Sequence, residues 1–167
     1  MQLSRQHVLY GQSIFILLML LTSFFFEYVV RLTPCALCLI QRVFIVIMLI
    51  ASLWSLLRYR VGRFSIGAQW CIALFSVLGM LVSWRHIWLQ QHAADLAQTS
   101  CLPDISLMLR MMSLPDVLLQ LLRQGGTECS EIKWLFLGVS MPSWVLLLYI
   151  ITFSSVLYLL CSKRNID

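Results

Sequence analysis

Charged residues are scarce in this chain. They make up 11% of its 167 residues, with only seven Asp and Glu in total, while 60% of the sequence is hydrophobic. A soluble domain carries about 25% charged residues, so this composition excludes a solvated globular fold and indicates an integral membrane protein. No Gly-x-Gly-x-x-Gly fingerprint is present, and the length leaves no room for a flavin or nicotinamide fold beside the apolar segments. Internal repeats and low-complexity stretches are missing too. No small-x-small cleavage site follows the first apolar run, where Thr22-Ser23 leads straight into Phe24-Phe25-Phe26. That run is long for a signal peptide and reads as a retained span. The formal charge of +5 provides no basic face for nucleic acid, because the positive residues gather at the ends of apolar segments.

What the chain does have is four long apolar stretches, at 9–30 with Glu27 near its end, 39–57, 66–88 and 143–161. A helix rises about 1.5 Å per residue, so about 20 residues cross a hydrocarbon core of about 30 Å. In lipid the backbone must satisfy its own hydrogen bonds, and runs this long and uniformly apolar do so as helices rather than as barrel strands. The expected architecture is an all-α membrane protein, a single domain over residues 1–167. It is a four-transmembrane-helix bundle with one long loop, 90–142, between the third and fourth helices. Within that loop Pro115 and the run 114–123 predict a short interfacial helix, and Gly125-Gly126 supplies a flexible joint before Cys129.

Arg58, Arg60 and Arg63 crowd the turn between the second and third spans, Lys163 and Arg164 follow the fourth, and Arg5 precedes the first. By the positive-inside rule these ends, and both termini, face the cytoplasm. Arg31, Arg85, Arg110, Arg123 and Lys133 lie on the opposite side but are spread along longer sequence. Aromatic residues fit the same layout. Tyr10, Trp54, Tyr59, Trp70 and Tyr158 would line the inner interface, and Tyr28, Trp84, Trp88, Trp134 and Trp144 the outer one.

This topology puts four of the six cysteines outside, where disulfides form. Cys35-Ala36-Leu37-Cys38 opens the second span, and residues three apart share a helix face. Pro34 suits a helix start, and the helix dipole there favours a thiolate. Cys101 and Cys129 flank the polar stretch of the outer loop. This second pair has two readings: a bridge that staples the loop, or a mobile partner in thiol–disulfide exchange with the first pair. The presence of the Cys-x-x-Cys favours the relay. A Cys-x-x-Cys is also half a zinc site, for which Cys101, Cys129 and His86 or His92 are donors on paper. The sequence has no second close Cys/His pair, so no metal is expected. Cys71 and Cys161 read as inert packing residues.

A dithiol that is oxidised repeatedly must pass its electrons on, and a lipid-soluble quinone is the simplest acceptor within a bilayer. Arg42 lies four residues after Cys38 and projects from the same face one turn deeper. An arginine inside a span is costly and marks a functional site, although its side chain can also snorkel to headgroups. It would donate hydrogen bonds to a quinone carbonyl. His86, beside Arg85 at the outer end of the third span, is a second candidate for the rim of that site.

Together these residues resemble the DsbB family of quinone-reducing thiol oxidases, over most of the chain. The resemblance is carried by Pro34-Cys35-Ala36-Leu37-Cys38 with Gln41-Arg42, by the segment around Arg85-His86, and by Cys101 ahead of a loop helix. It is carried equally by Glu128-Cys129-Ser130-Glu131, followed by Trp134, Phe136-Leu137-Gly138 and Met141-Pro142-Ser143-Trp144. It implies a four-helix bundle in the inner membrane of Gram-negative bacteria. The implied acceptor is a quinone, ubiquinone ahead of menaquinone, and the implied partner is a periplasmic thioredoxin-fold dithiol oxidase of the DsbA type. It further implies that the partner's thiolate attacks Cys101 and frees Cys129, and that electrons then pass to the Cys35–Cys38 disulfide. Cys38 would contact the quinone, with Arg42 and His86 assisting. The family often carries an acidic residue where this chain has Gln41, which removes a possible ion-pair partner for Arg42.

Other readings compete with this one. A specialised paralogue of the DsbI kind would serve one dedicated partner. A vitamin K epoxide reductase-like enzyme also uses a four-helix bundle, but its Cys-x-x-Cys usually lies late in the bundle rather than at the start of the second span. A non-enzymatic membrane subunit would keep only a structural loop disulfide.

Overall fold

The computed structural model describes residues 2–31, 35–61, 65–92, 111, 113, 116 and 135–164. Four helices run through it: α1 (Gln2–Tyr28), α2 (Ala36–Arg60), α3 (Ile66–Gln91) and α4 (Met141–Arg164). All four are long and apolar enough to cross a membrane, so the fold is an all-α membrane bundle. The interfacial helix expected at 114–123 falls outside the described residues except at Asp116.

Local chemistry sets the helix ends. α2 starts at Ala36, three residues before the expected span. Cys35 is its N-cap, in extended geometry (φ −75°, ψ 167°), and the Cys35 carbonyl accepts the Leu39 N–H at 3.1 Å. The helix continues past the apolar run to Arg58 and Arg60, whose charges suit a C-terminal turn. Beyond α1 the backbone turns at Arg31, which has a left-handed φ of 56°. α4 is introduced by a hairpin of β1 (Leu135–Phe136) and β2 (Val139–Ser140), with Leu135 opposite Ser140 and Phe136 opposite Val139. Its two loop residues, Leu137 (φ 53°) and Gly138 (φ 77°), are both left-handed, as a primed two-residue turn requires. Strands of two residues are too short to leave an alternating pattern in the sequence, which is why the hairpin could not be read from it.

α3 lies between α2 and α4 and packs most extensively on both, while α1 packs on α2 and, less closely, on α4. The main core joins Ile16 and Met19, Ile45 and Met48, Ile72 and Ala73, and Tyr149 and Val156. Against this core the usual polarity is inverted. Gln12, Gln41, Ser55, Gln69, Ser76, Ser83 and Thr152 are buried, while Phe25, Trp54, Trp70 and Trp84 are each more than half exposed. Hydrocarbon outside the bundle tolerates that surface, and hydrogen bonds between helices hold the inside together. Gln69 Nε2 donates to Ser55 Oγ at 3.0 Å, Gln41 Nε2 to Ser83 Oγ at 3.0 Å and the Tyr149 hydroxyl to the Gln41 carbonyl at 3.0 Å. Tyr149 fits because Gly79 on α3 has no side chain; a methyl group there would overlap the phenol ring. At one end of the bundle the Arg60 guanidinium donates to the Tyr10 hydroxyl at 2.8 and 3.1 Å, tying the end of α2 to the beginning of α1.

Candidate active site

The start of α2 brings two thiols together. Cys35 is buried at the N-cap and Cys38 is half-buried in the first turn, with their Sγ atoms 3.1 Å apart and Cys35 donating to Cys38. A disulfide needs about 2.05 Å, so the pair can be bridged with a closing movement of about 1 Å and no change of helix register.

α3 supplies the third member. His86 is buried near the end of that helix, and its Nε2 lies 3.7 Å from Cys35 Sγ. Two contacts fix this approach. Leu37 and Cys35 pack with Val82 and Leu89 in a small apolar cluster, flanked by Cys38, Ile40 and Phe44. Ser83, three residues before His86, takes the hydrogen bond from Gln41. Residues 82, 83, 86 and 89 form one stripe of α3 that faces α2. The sequence placed His86 at the rim of a quinone site; the structure puts it against the sulfur of Cys35.

Arg42 follows Cys38 by one turn and reaches across to α1. It forms an ion pair with Glu27, donates through Nε to the Ser23 hydroxyl at 3.1 Å and through a terminal nitrogen to the Ser23 carbonyl at 3.3 Å. Its guanidinium also lies over the Phe24 ring, 4.6 Å from the centroid. Sequence reasoning left Arg42 without an ion-pair partner because Gln41 precedes it. The partner is on another helix, and Gln41 points to α3 instead. A signal for this pairing existed. Glu27 is an acid in the last turn of a helix, where the dipole disfavours it, so it needed a cation nearby.

The other predicted cysteines separate into two cases. Cys101 and Cys129 lie outside the described residues. Cys71 is half-buried and Cys161 is exposed, so Cys161 is not the packing residue expected from its apolar segment.

Nearly the whole chain, beyond this thiol pair, is similar to one family of proteins. The family model described as Disulfide bond formation protein DsbB covers residues 5–159. The chain belongs to the DsbB family. Among its relatives, each named Disulfide bond formation protein B, one from Nitrosococcus oceani is 30% identical over 161 residues, covering 90% of this chain and 88% of that protein. One from Chromohalobacter salexigens is 37% identical over 131 residues, with 78% and 75% covered. One from Stutzerimonas stutzeri is 34% identical over 137 residues, covering 80% of each. As a DsbB-family protein the chain is a multi-pass membrane thiol oxidoreductase acting in disulfide bond formation.

Proposed function

We propose that the chain reoxidises a periplasmic DsbA-type dithiol protein and delivers the electrons to a membrane quinone. The observation that carries this reading is the Cys35–Cys38 pair, 3.1 Å apart at the head of α2, with His86 Nε2 3.7 Å from Cys35. The net reaction balances as partner dithiol plus quinone giving partner disulfide plus quinol. Two thiols lose two electrons and two protons, and the quinone gains both.

In this scheme the partner's thiolate attacks Cys101 of a Cys101–Cys129 disulfide, forming a mixed disulfide and releasing the Cys129 thiolate. The partner's second thiol completes its own disulfide and leaves Cys101 and Cys129 reduced. These reduce the Cys35–Cys38 disulfide by exchange, and the resulting dithiol passes its electrons to the quinone beside Cys38. His86 takes the proton from the Cys35 thiol once that S–H turns from Cys38 Sγ toward Nε2, 3.7 Å away. Of the five N–H groups of Arg42, three serve Glu27 and Ser23 among the described residues, and the remaining one on each terminal nitrogen would serve a quinone carbonyl. Glu27 and Ser23 thus aim the guanidinium, and the ion pair removes its net charge, which suits a neutral ligand. In this reading the chain lies in a bacterial inner membrane with both termini on the cytoplasmic side, and ubiquinone is the first candidate acceptor.

The test is quinone reduction by purified protein supplied with a reduced thioredoxin-fold partner. Turnover should disappear in Cys38→Ser and in Cys101→Ser; full turnover in either variant refutes the relay.

A further inference from the structure

We infer that Cys35, Cys38 and His86 form, when the thiols are reduced, a binding site for a thiophilic divalent cation such as Zn2+. The three donor atoms all lie within 4.8 Å of one another. A tetrahedral zinc ion with Zn–S of about 2.3 Å and Zn–N of about 2.0–2.1 Å spaces its sulfurs about 3.8 Å apart and each sulfur about 3.6 Å from nitrogen. The observed Cys35–His86 separation is 3.7 Å, already at that value, and the 3.1 Å between sulfurs has to open by about 0.7 Å. Cys38 is the half-buried member, so its side chain has the room to make that movement, while buried Cys35 and His86 stay in place.

Charge favours the same conclusion. Two thiolates cancel the charge of a divalent ion, so the loaded site is neutral and its burial carries no Born cost. The nearest cation along α2, Arg42, is held by Glu27 and does not present an unbalanced positive charge. Two thiolates and one imidazole are a borderline-soft donor set that leaves a fourth position open. Binding follows the balance of one divalent ion plus two thiols and a neutral imidazole giving the bound ion plus two protons. The disulfide form offers no thiolate and cannot bind. The sequence set a metal site aside because no second Cys/His pair lies close to Cys35 and Cys38; the fold supplies a single distant histidine instead. The proposal stands on this geometry alone. Its consequence, that a thiophilic ion holds the enzyme in the reduced form, rests on the thiol oxidase reading above.

Binding can be read without turnover. The full chain in detergent, carrying Cys101→Ser and Cys129→Ser so that the loop thiols do not compete, is reduced and titrated with Co2+ and then Zn2+. One Co2+ per chain should bind with thiolate-to-cobalt charge-transfer absorption and the strong visible bands of tetrahedral cobalt, and Zn2+ should displace it. Pre-oxidation of Cys35 and Cys38 should abolish the signal. His86→Ala, with helix content matched to the parent, should weaken binding by more than about 100-fold, beyond the roughly 10- to 100-fold loss expected for an outer partner alone. In the otherwise unmodified chain, Zn2+ should shield Cys35 and Cys38 from alkylation. Unchanged affinity in His86→Ala, equal binding by the oxidised form, or unshielded thiols would each overturn the site. None of these readouts depends on quinone or partner, so they leave the proposed function to be judged separately.

Discussion

Arg42 of α2 and Glu27 of α1 form an ion pair between two helices, one turn below the Cys35–Cys38 thiols. Each answers a problem the other has. Arg42 is a cation inside a span, and Glu27 is an acid at the wrong end of a helix dipole. Their side chains are 15% and 26% exposed, so the pair is mostly shielded.

Breaking that pair should therefore cost stability. Removing one partner of a fully buried pair costs about 3–5 kcal/mol, and the partial exposure here reduces the expectation to about 1–3 kcal/mol. Glu27→Gln and Arg42→Ala should each lower the thermal midpoint in detergent. The double variant should be less destabilised than the two losses added together, because neither charge is then left alone. Strict additivity would show that the two side chains are not coupled.

Quinone use should separate from partner use at Arg42. Losing hydrogen bonds from a charged donor costs about 1.5–3 kcal/mol, so Arg42→Ala should raise the quinone KM by about 10- to 100-fold. Oxidation of the partner in a single turnover, which needs only the disulfides, should change far less. Steady-state kinetics against quinone, set beside thiol trapping of the first turnover, makes the comparison. An unchanged quinone KM would remove Arg42 from the site.

His86 should act on the thiol step. Positioned proton transfer contributes about 10²- to 10⁴-fold, and Nε2 lies 3.7 Å from the Cys35 sulfur. His86→Ala should slow quinone-driven reoxidation of a pre-reduced Cys35–Cys38 pair by about 100-fold or more, measured by rapid alkylation. Reoxidation at the parent rate would leave His86 a packing residue.

Much of this arrangement was legible in the sequence, and the missing part has a common cause. Four helices follow from hydropathy and the thickness of a bilayer, and the Cys-x-x-Cys announces itself by spacing. The span arithmetic missed the first residues of α2 because it registers apolar runs and not caps, and Cys35 caps this helix by backbone geometry. The partner of Arg42 was missed because neighbours in sequence were searched, whereas Glu27 sits fifteen residues earlier on another helix. The inward turn of His86 depends on which stripe of α3 meets α2. That register is set by Ser83 against Gln41 and by Gly79 receiving Tyr149, contacts that no single segment reveals.

Gly79 offers a direct check on that register. A methyl group at this position overlaps the Tyr149 ring, and the ring cannot swing away without losing its hydrogen bond to the Gln41 carbonyl. Overpacking of this kind costs about 1–3 kcal/mol. Gly79→Ala should melt earlier than the parent, and Tyr149→Leu should recover part of the loss in the double variant. If Gly79→Ala melts with the parent, α3 and α4 do not meet as described.

Gln41 tests which face of α2 the arginine answers to. Its side chain is 4% exposed and donates to Ser83 on α3, on a different face of α2 from the Arg42–Glu27 pair. Gln41→Glu should therefore not create a better-anchored arginine. The new carboxylate would replace the amide that donates to Ser83 and would sit buried beside an arginine already committed to α1, with no other cation bonded to position 41 among the described residues. An unpaired buried charge is among the few single changes expected to be severe. The variant should lose thermal stability, and the loss should persist when Glu27 is also changed to Gln if Arg42 stays anchored through Ser23 and Phe24. Full recovery in the Gln41→Glu/Glu27→Gln variant would instead mean that the guanidinium can swing to α2's other face, and that Glu27 alone decides where it points.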